Sequence, residues 1–392
     1  MSNTPIARSA DLTRLRNEGY NIEVREGFLL IKDVPYVNSR REVLRGTLVC
    51  KLDLAGDVTT LPSTHAAFFA GDHPCDQNGA PLSKIVTGSN RHELAPGVTV
   101  DHSFSAKPAE PYPDFHEKVF RHVLILSGPA RAISPGVTAQ TYAPVVATAE
   151  DGTVFNYVDT ASSRAEIGLV QKKLELGKVA IVGLGGTGSY LLDLVAKTPV
   201  REIHLFDGDT FLQHNAFRAP GAPSIEDLQE RPLKVIYLRE IYSRMRRGIL
   251  AHEKALDAST ASELRDMDFV FLCIDGGPAK AAIVAELVAA GVPFVDTGMG
   301  VELIDGALSG VLRLTTGTRE RNEHIKQRVP LAAADGDNEY AKNIQIADLN
   351  ALNAALAVIR WKKLFGFYAD LEGEHHCSYT TDGNVITNLE KP

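Results

Sequence analysis

Cysteine is scarce in this chain: four in 392 residues, widely spaced. Four such thiols give no disulfide framework and no paired C-x-x-C zinc motif. No stretch of about 18 apolar residues occurs, which leaves no candidate for a spanning helix. The opening residues, MSNTPIARSADLTRLRNEGY, contain no apolar signal region. Basic blocks are missing too. The net charge is -8, and the short run Arg244-Met245-Arg246-Arg247 reads as a solvated helix face, so nucleic acid is not the expected main partner. Internal repeats and low-complexity tracts are also absent. Together these gaps point to a reduced, cytoplasmic, soluble protein with no membrane partner.

What is present suffices for two cores. Hydrophobic residues make up 44% of the chain, and the length suits two domains of about 150–200 residues. Up to residue 150 the chain reads as a smaller α+β domain. Leu48, Cys50, Leu52 and Leu54 alternate with polar positions, the period of a half-buried strand. "GFLLIKDVPY" and "HAAFFAGDHP" read as further strands that end in turn residues. "DFHEKVFRHVLILSG" reads as a helix capped by Asp114 and stopped at Gly128-Pro129. Residues 151–165 are polar and are expected to form a linker. From 166 to 392, strands and helices alternate. "KVAIV", "IHLF", "DFVFLCID" and "VPFVDTG" read as buried strands, and "LKVIYLREIYSRM" and "AKAAIVAELVAAG" as helices. A hairpin, "VELIDGALSGVLRLTT", and a long helix, "IQIADLNALNAALAVIRWKKLFG", follow. The expected fold class is α/β, with a Rossmann-like, mostly parallel sheet covered by helices on both faces.

One segment carries chemistry: "KVAIVGLGGTGSYLLDLVAKTPVREIHLFDGDTFLQHNAFRAP", residues 178–220. Gly183, Gly185, Gly186 and Gly188 sit between a strand and a helix. There they permit a tight turn, close approach of phosphate to backbone, and helix packing. The helix N-terminus offers unpaired N–H groups to an anion. Asp207 ends the next strand, where a carboxylate can hold ribose hydroxyls. Asp209, Asn215 and Arg218 follow at fixed spacing, and Lys234 opens a later helix. Asp275 ends "DFVFLCID" at the same sheet edge, with Lys280 five residues on. Cations and an acid beside a phosphate loop suit a triphosphate with Mg²⁺. Nicotinamide chemistry has no use for them.

The GxGGxGS loop, D-x-D-x5-N-x2-R, the helix lysine and the strand-ending aspartate together resemble the ThiF/MoeB family, which includes the ubiquitin-activating enzymes. The resemblance covers roughly residues 165–392. It implies ATP and Mg²⁺ as cofactors, ribose binding by Asp207, and phosphate contacts from Asn215, Arg218 and Lys234. It implies Asp275 as the metal ligand and, with Arg218 and Lys234, as catalytic. It further implies a homodimer that adenylates the C-terminal glycine of a ubiquitin-like protein. The chain departs from the family at Gly276, where asparagine is usual, at Lys280, where arginine is usual, and in lacking the zinc motifs. More weakly, the first 150 residues resemble the ubiquitin-conjugating fold, a strand meander leading to a His-Pro turn and then a helix. The whole chain is similar to fusions found in bacterial ubiquitin-like conjugation systems.

The acceptor of the activated acyl group stays open. The segment "TTGTRERNEHIKQRVPLAAADGDNEYAKN" has no cysteine, and Cys50 and Cys273 read as core. Cys75, beside His73 in "GDHPCDQNG", is the candidate nucleophile. In conjugating enzymes, however, the cysteine lies several residues beyond the turn, whereas Cys75 follows Pro74 directly. Cys377, in "EGEHHCSY", is the alternative thiol, and Ser103 or Ser105 near His102 are the alternatives for an oxygen ester. Direct transfer to an external acceptor needs none of them. Three rival functions stand beside the leading one: a sulfur-carrier adenylyltransferase, an NAD-dependent oxidoreductase, and a non-catalytic scaffold.

Overall fold

Alternation in the first third of the chain builds an antiparallel sheet. The structure is a computed structural model that describes residues 3–147, 152–165, 167–332 and 344–391. The chain divides into two compact units: Met1–Thr153 with Tyr157–Ala165, and Val154–Asn156 with Glu166–Pro392. Among the described residues no helix is long and apolar enough to cross a membrane.

In the first unit, helix α1 (Ala10–Asn17) precedes six strands: β1 (Asn21–Arg25), β2 (Phe28–Val37), β3 (Val43–Lys51), β4 (Ala66–Ala70), β5 (Val86–Gly88) and β6 (His102–Ser105). They pair antiparallel in the order β1-β2-β3-β4-β6-β5. Helix α2 (Phe115–Ile133) lays Phe115, Val119, Val123 and Leu126 against Leu29, Ile31, Leu48, Cys50, Phe69 and Phe104. That spacing is the helical period meeting the strand period. Asp114 caps the helix, its Oδ1 accepting from the Glu117 N–H at 2.8 Å. The helix does not stop at Gly128-Pro129, as its sequence suggested. It continues to Ile133 with Pro129 inside. Pro129 removes its own donor and its ring crowds the Ile125 carbonyl, a cost that packing offsets. Ala130 is fully buried, and the ladder closes beyond it as the Ser134 N–H donates to the Ala130 carbonyl at 2.8 Å. Packing thus outweighs propensity. Within the expected linker, Thr160–Arg164 forms a short helix, α3, capped by Asp159, while residues 148–151 lie outside the described residues.

The second unit centres on an eight-stranded sheet. Its strands are β7 (Lys178–Val182), β8 (Glu202–Phe206), β9 (Ile249–His252), β10 (Phe269–Leu272), β11 (Phe294–Ile304), β12 (Ala307–Gly317), β13 (His376–Thr380) and β14 (Val385–Leu389). The order is β9-β8-β7-β10-β11-β12-β13-β14. The first five are parallel and the last three antiparallel. Helices α4 (Gly186–Val195), α5 (Lys234–Ser243), α6 (Pro278–Ala290) and α7 (Ala347–Leu364) cover it. Period-two alternation decides which residue meets which layer. Val179, Ile181, Phe269 and Phe271 face Leu191, Leu238 and Trp361 of α4, α5 and α7. Ala180, Val182, Val270 and Leu272 face Ile283, Val284 and Leu287 of α6. The fold is therefore α/β, with a mostly parallel Rossmann-like sheet between helices.

Two local expectations change. "VPFVDTG" and the first hairpin arm are one strand, β11, which runs without a break to Ile304. It turns at Asp305-Gly306, both at positive φ (47° and 83°), the two-residue turn that matches strand twist. Strand β10 ends at Leu272, so Cys273 and Asp275 lie in the loop beyond it. The "EGEHHCSY" segment is ordered, with His376 and Cys377 on β13.

Candidate active site

The carboxyl ends of β7 and β10 meet at the glycine loop, beside residues 297–300 in the middle of β11, the edge of a parallel sheet where ligands collect. Two glycines there have no substitute. At Gly183 φ is +86°, and a Cβ would lie 2.6 Å from the Cys273 carbonyl oxygen. A Cβ at Gly188 would fall on the Gly183 carbonyl. A Cβ at Gly185 meets nothing nearer than 4.0 Å, so that position is open. A cavity of about 370 Å³ starts here, lined by Gly185, Gly186, Asp275, Lys280, Arg313 and Asn353, among others. Asp275 is exposed at its rim.

Asp207, at the end of β8, is buried and holds the site together. Its Oδ2 accepts from the Leu184 N–H at 2.7 Å and its Oδ1 from the Asp209 N–H at 2.8 Å. An ionised carboxylate has about four acceptor positions, so capacity for a ribose hydroxyl remains. Lys234 is buried at the start of α5. Its Nζ donates to Asp209 Oδ2 at 2.7 Å and lies 3.5 Å from Asp207 Oδ1. Asp209 is 77% exposed. The intervening loop is stitched to α5 by the Lys234 N–H donating to the Asp209 carbonyl at 2.9 Å. Asn215 is buried and spends its Oδ1 on the Leu212 N–H at 2.8 Å, so it shapes the loop. The Arg218 N–H donates to the Asn215 carbonyl at 3.1 Å, and its Nε is buried without a partner. The predicted residues thus form two groups. Gly185, Gly186 and Asp275 line the cavity, while Asp207, Asp209 and Lys234 form a cluster tied to the loop through Leu184.

Other residues at the site went unrecognised in the sequence. Asp296 on β11 is fully buried. It pairs with Lys280, and its Oδ2 accepts from Arg313 Nη2 at 3.0 Å. Burial raises the Asp296 carboxyl, and the two cations oppose the rise. An acid inside an apolar strand was the available signal. On α7, Asn350 accepts from Thr187 Oγ1 at 2.9 Å, and Asn353 donates to the Gly298 carbonyl at 3.3 Å. Helical spacing of two asparagines carries no such signal. Cys273, expected in the core, is half-buried and lines the cavity. Burial pushes its thiol up to about 12.

In the first unit Cys75 is 1% exposed, and its Sγ donates to the His73 carbonyl at 3.3 Å. Burial, and then Asp76, push its thiol above the usual range. Cys377 is pushed up to about 11 by burial. The rings of His73 and His102 lie 4.9 Å apart, edge to face. His102 Nδ1 pairs with Ser89 Oγ at 3.0 Å, whereas Ser103 Oγ pairs with Thr87 Oγ1 at 3.0 Å. Adjacent strand residues point to opposite faces, so His102 has no hydrogen bond to Ser103. Other histidines of this stretch have separate partners. His116 meets Glu18, and His122 meets the Lys118 carbonyl. Among the described residues no cluster of three or more His, Cys, Asp or Glu could hold a metal ion.

A glycine loop, a helix N-terminus and acids at the edge of a parallel sheet define a Rossmann-like nucleotide-binding unit. Residues 159–347 match the ThiF family, so the C-terminal part of the chain carries a ThiF family domain. Residues 10–160 match a domain of unknown function, DUF6791. No curated protein matches the chain significantly. Among solved structures, the chain is similar to E. coli MccB bound to succinimide. That match has 19% identity over 56% of this chain and 66% of that one, at a TM-score of 0.44. It is also similar to E. coli MccB with ATP, at 20% identity over 56% and 66%, TM-score 0.44. A third is E. coli tRNA N6-threonylcarbamoyladenosine dehydratase, TcdA, at 18% identity over 53% and 92%, TM-score 0.39. The chain spans just under two thirds of the length of MccB.

Proposed function

We propose that the protein is an ATP-dependent adenylyltransferase that activates the C-terminal glycine of a ubiquitin-like protein. One observation carries this reading. A single cavity joins the open glycine loop to Asp275, to the buried Lys280 and to the half-buried Arg313. ATP is the substrate. A carboxylate oxygen attacks the α-phosphorus, the bond to the β-phosphate bridging oxygen breaks, and pyrophosphate leaves with the electron pair. The attacking carboxylate is already ionised, so no base is required. What the protein supplies is position and positive charge. In this reading Asp207 holds the ribose and Gly185 and Gly186 cradle phosphate. Arg218, whose Nε has no partner, turns to the phosphates, and Lys234 supplies a second positive charge. Mg²⁺ keeps most of its shell for water and phosphate oxygens and needs only one or two protein carboxylates. Asp275 on the cavity rim fits that demand, and the ion would neutralise charge on the leaving pyrophosphate. By family resemblance the working form is a homodimer. The first unit, similar to conjugating domains, is proposed to receive or pass on the acyl group, with Cys75 the candidate acceptor.

Pyrophosphate exchange into ATP tests the reading. Exchange is expected to need both Mg²⁺ and the ubiquitin-like protein. Asp275→Ala and Arg218→Ala are each expected to slow it about 10²–10³-fold, the scale of one preorganised charge contact. NADH binding without exchange would overturn the proposal, and exchange without a carrier would assign a small carboxylate as the substrate instead.

A further inference from the structure

The first unit contains a cavity of about 180 Å³ that adenylation does not use. Arg16, Tyr20, Tyr142, Tyr157, Thr160 and Arg164 stand in its wall, and no acidic residue lines it. Arg16, near the end of α1, is 7% exposed. Its Nη2 donates to Ser163 Oγ at 2.7 Å, and its Nε is buried without a partner. Arg164, at the end of α3, donates from Nη2 to the Asn17 carbonyl at 2.6 Å. Its guanidinium carbon lies 5.9 Å from the centre of the Tyr142 ring. The two arginines therefore cross-tie the same pair of helices, residues 16–17 to residues 163–164, and both line the cavity.

Among the described residues no carboxylate pairs with either of them. The nearby acids are engaged elsewhere. Glu18 pairs with Arg14 and His116, both at 2.9 Å. Asp159 accepts from the α3 amides and from Ser162 Oγ. Among the described residues neither Arg16 nor Arg164 forms an ion pair, and burial alone pulls the Arg16 guanidinium below its ordinary range. A buried, unpaired charge costs several kcal/mol. An anion in the cavity removes that penalty.

We propose that this cavity binds a phosphate group. A phosphate dianion answers two guanidinium charges where a carboxylate answers one, and the planar guanidinium fork matches its oxygens. The cavity is smaller than the ~300–1,000 Å³ of sites that enclose whole small ligands. It takes the phosphate alone, and whatever carries the phosphate stays outside against the exposed rings of Tyr142 and Tyr157. The phosphate is either free inorganic phosphate or the monoester of a nucleotide such as AMP.

Hydrogen exchange of the full chain, followed by mass spectrometry, tests this without any carrier protein. Inorganic phosphate, AMP and sodium chloride are compared at matched ionic strength. Phosphate is expected to slow exchange in residues 10–20 and 157–165, and chloride is not. Arg164 is exposed, so Arg164→Ala keeps the core intact. It is expected to raise the half-saturating phosphate concentration about tenfold or more, the scale of one charge-assisted hydrogen bond. Arg16→Gln, which keeps a donor but no charge, is expected to do the same. Half-saturation by AMP below that of phosphate identifies a nucleotide, and equal values identify free phosphate. The proposal is overturned by no protection at millimolar phosphate and AMP, or by protection unchanged in Arg164→Ala. Protection confined to the peptides of the glycine loop also overturns it, while leaving adenylation intact.

Discussion

Asp296 shows how one side chain sets the character of a site. Its carboxylate pairs with both the buried Lys280 and the half-buried Arg313. Asp296→Asn is expected to destabilise the second unit by about 3–5 kcal/mol, because two cations lose their counter-charge inside the protein. Urea unfolding measures this. Adding Lys280→Met is expected to recover a large part of the loss, since an apolar side chain needs no partner. A simple sum of the two effects would show that the pair is not coupled. The second residue in question is Cys75. Adenylation precedes any step at a thiol, so Cys75→Ala is expected to leave pyrophosphate exchange near normal. It is also expected to abolish a thiol-cleavable carrier adduct on intact mass. Because Cys75 is buried with a raised pKa, formation of that adduct requires the Cys75 loop to open. An adduct that survives in Cys75→Ala but is lost in Cys377→Ala would move the acceptor to β13. One that resists thiols and yields to hydroxylamine would indicate an oxygen ester.

At the scale of elements, α2 carries a proline one turn before its end. Ile125 would receive a backbone donor if residue 129 had one. Pro129→Ala is therefore expected to stabilise the first unit, by about 1–3 kcal/mol on the helix-propensity scale, read as a higher urea midpoint with unchanged slope. A loss of stability would mean that the ring itself is well packed. The same helix illustrates what sequence conveys. Its start was legible, since Asp114 and an apolar face at helical spacing are local signals. Its end was not, because burial of Ala130 is a tertiary fact. Strand β10 shows the converse. The apolar run "FVFLCI" reads through to Asp275, yet pairing with β11 ends at Leu272↔Asp296, and the remaining residues turn into the cavity wall.

The whole molecule carries a pH dependence. His376 is buried on β13, with Nδ1 paired to Thr315 Oγ1 at 3.0 Å. Burial, and then Arg328 and Arg313, push it down to about 4. An imidazole depressed in the native state stays neutral there, while in the unfolded chain it titrates near 6.5. Its contribution to stability is complete above about pH 6.5 and is lost as pH falls toward 4. The 2.5-unit gap corresponds to about 3 kcal/mol. His102, His122, His252 and His375 are also lowered by burial and act in the same direction. Stability measured by urea unfolding is expected to drop between pH 7 and pH 4.5. The drop is expected to shrink by about 2 kcal/mol in His376→Gln. An equal drop in the variant would show that His376 is not the titrating group.

Some features of this protein follow from local order alone. The glycine loop, the alternation of strands and helices, the hairpin turn at Asp305-Gly306 and the spacing of Asp207, Asp209, Asn215 and Arg218 depend on dihedral preference and period. Neighbouring residues carry both, so a reader of the sequence sees them. Other features required the chain to come back on itself. Lys280, Asp296 and Arg313 lie on three elements, and their pairing arises only when β12 folds against β11 and α6 covers the sheet. Arg16 and Arg164 are 148 positions apart and share a cavity because α3 packs on α1. Cys75 and Cys377 look alike as thiols beside histidines, and burial decides how each titrates. Charge burial and desolvation depend on what surrounds a group in space, and no window of sequence contains that surrounding.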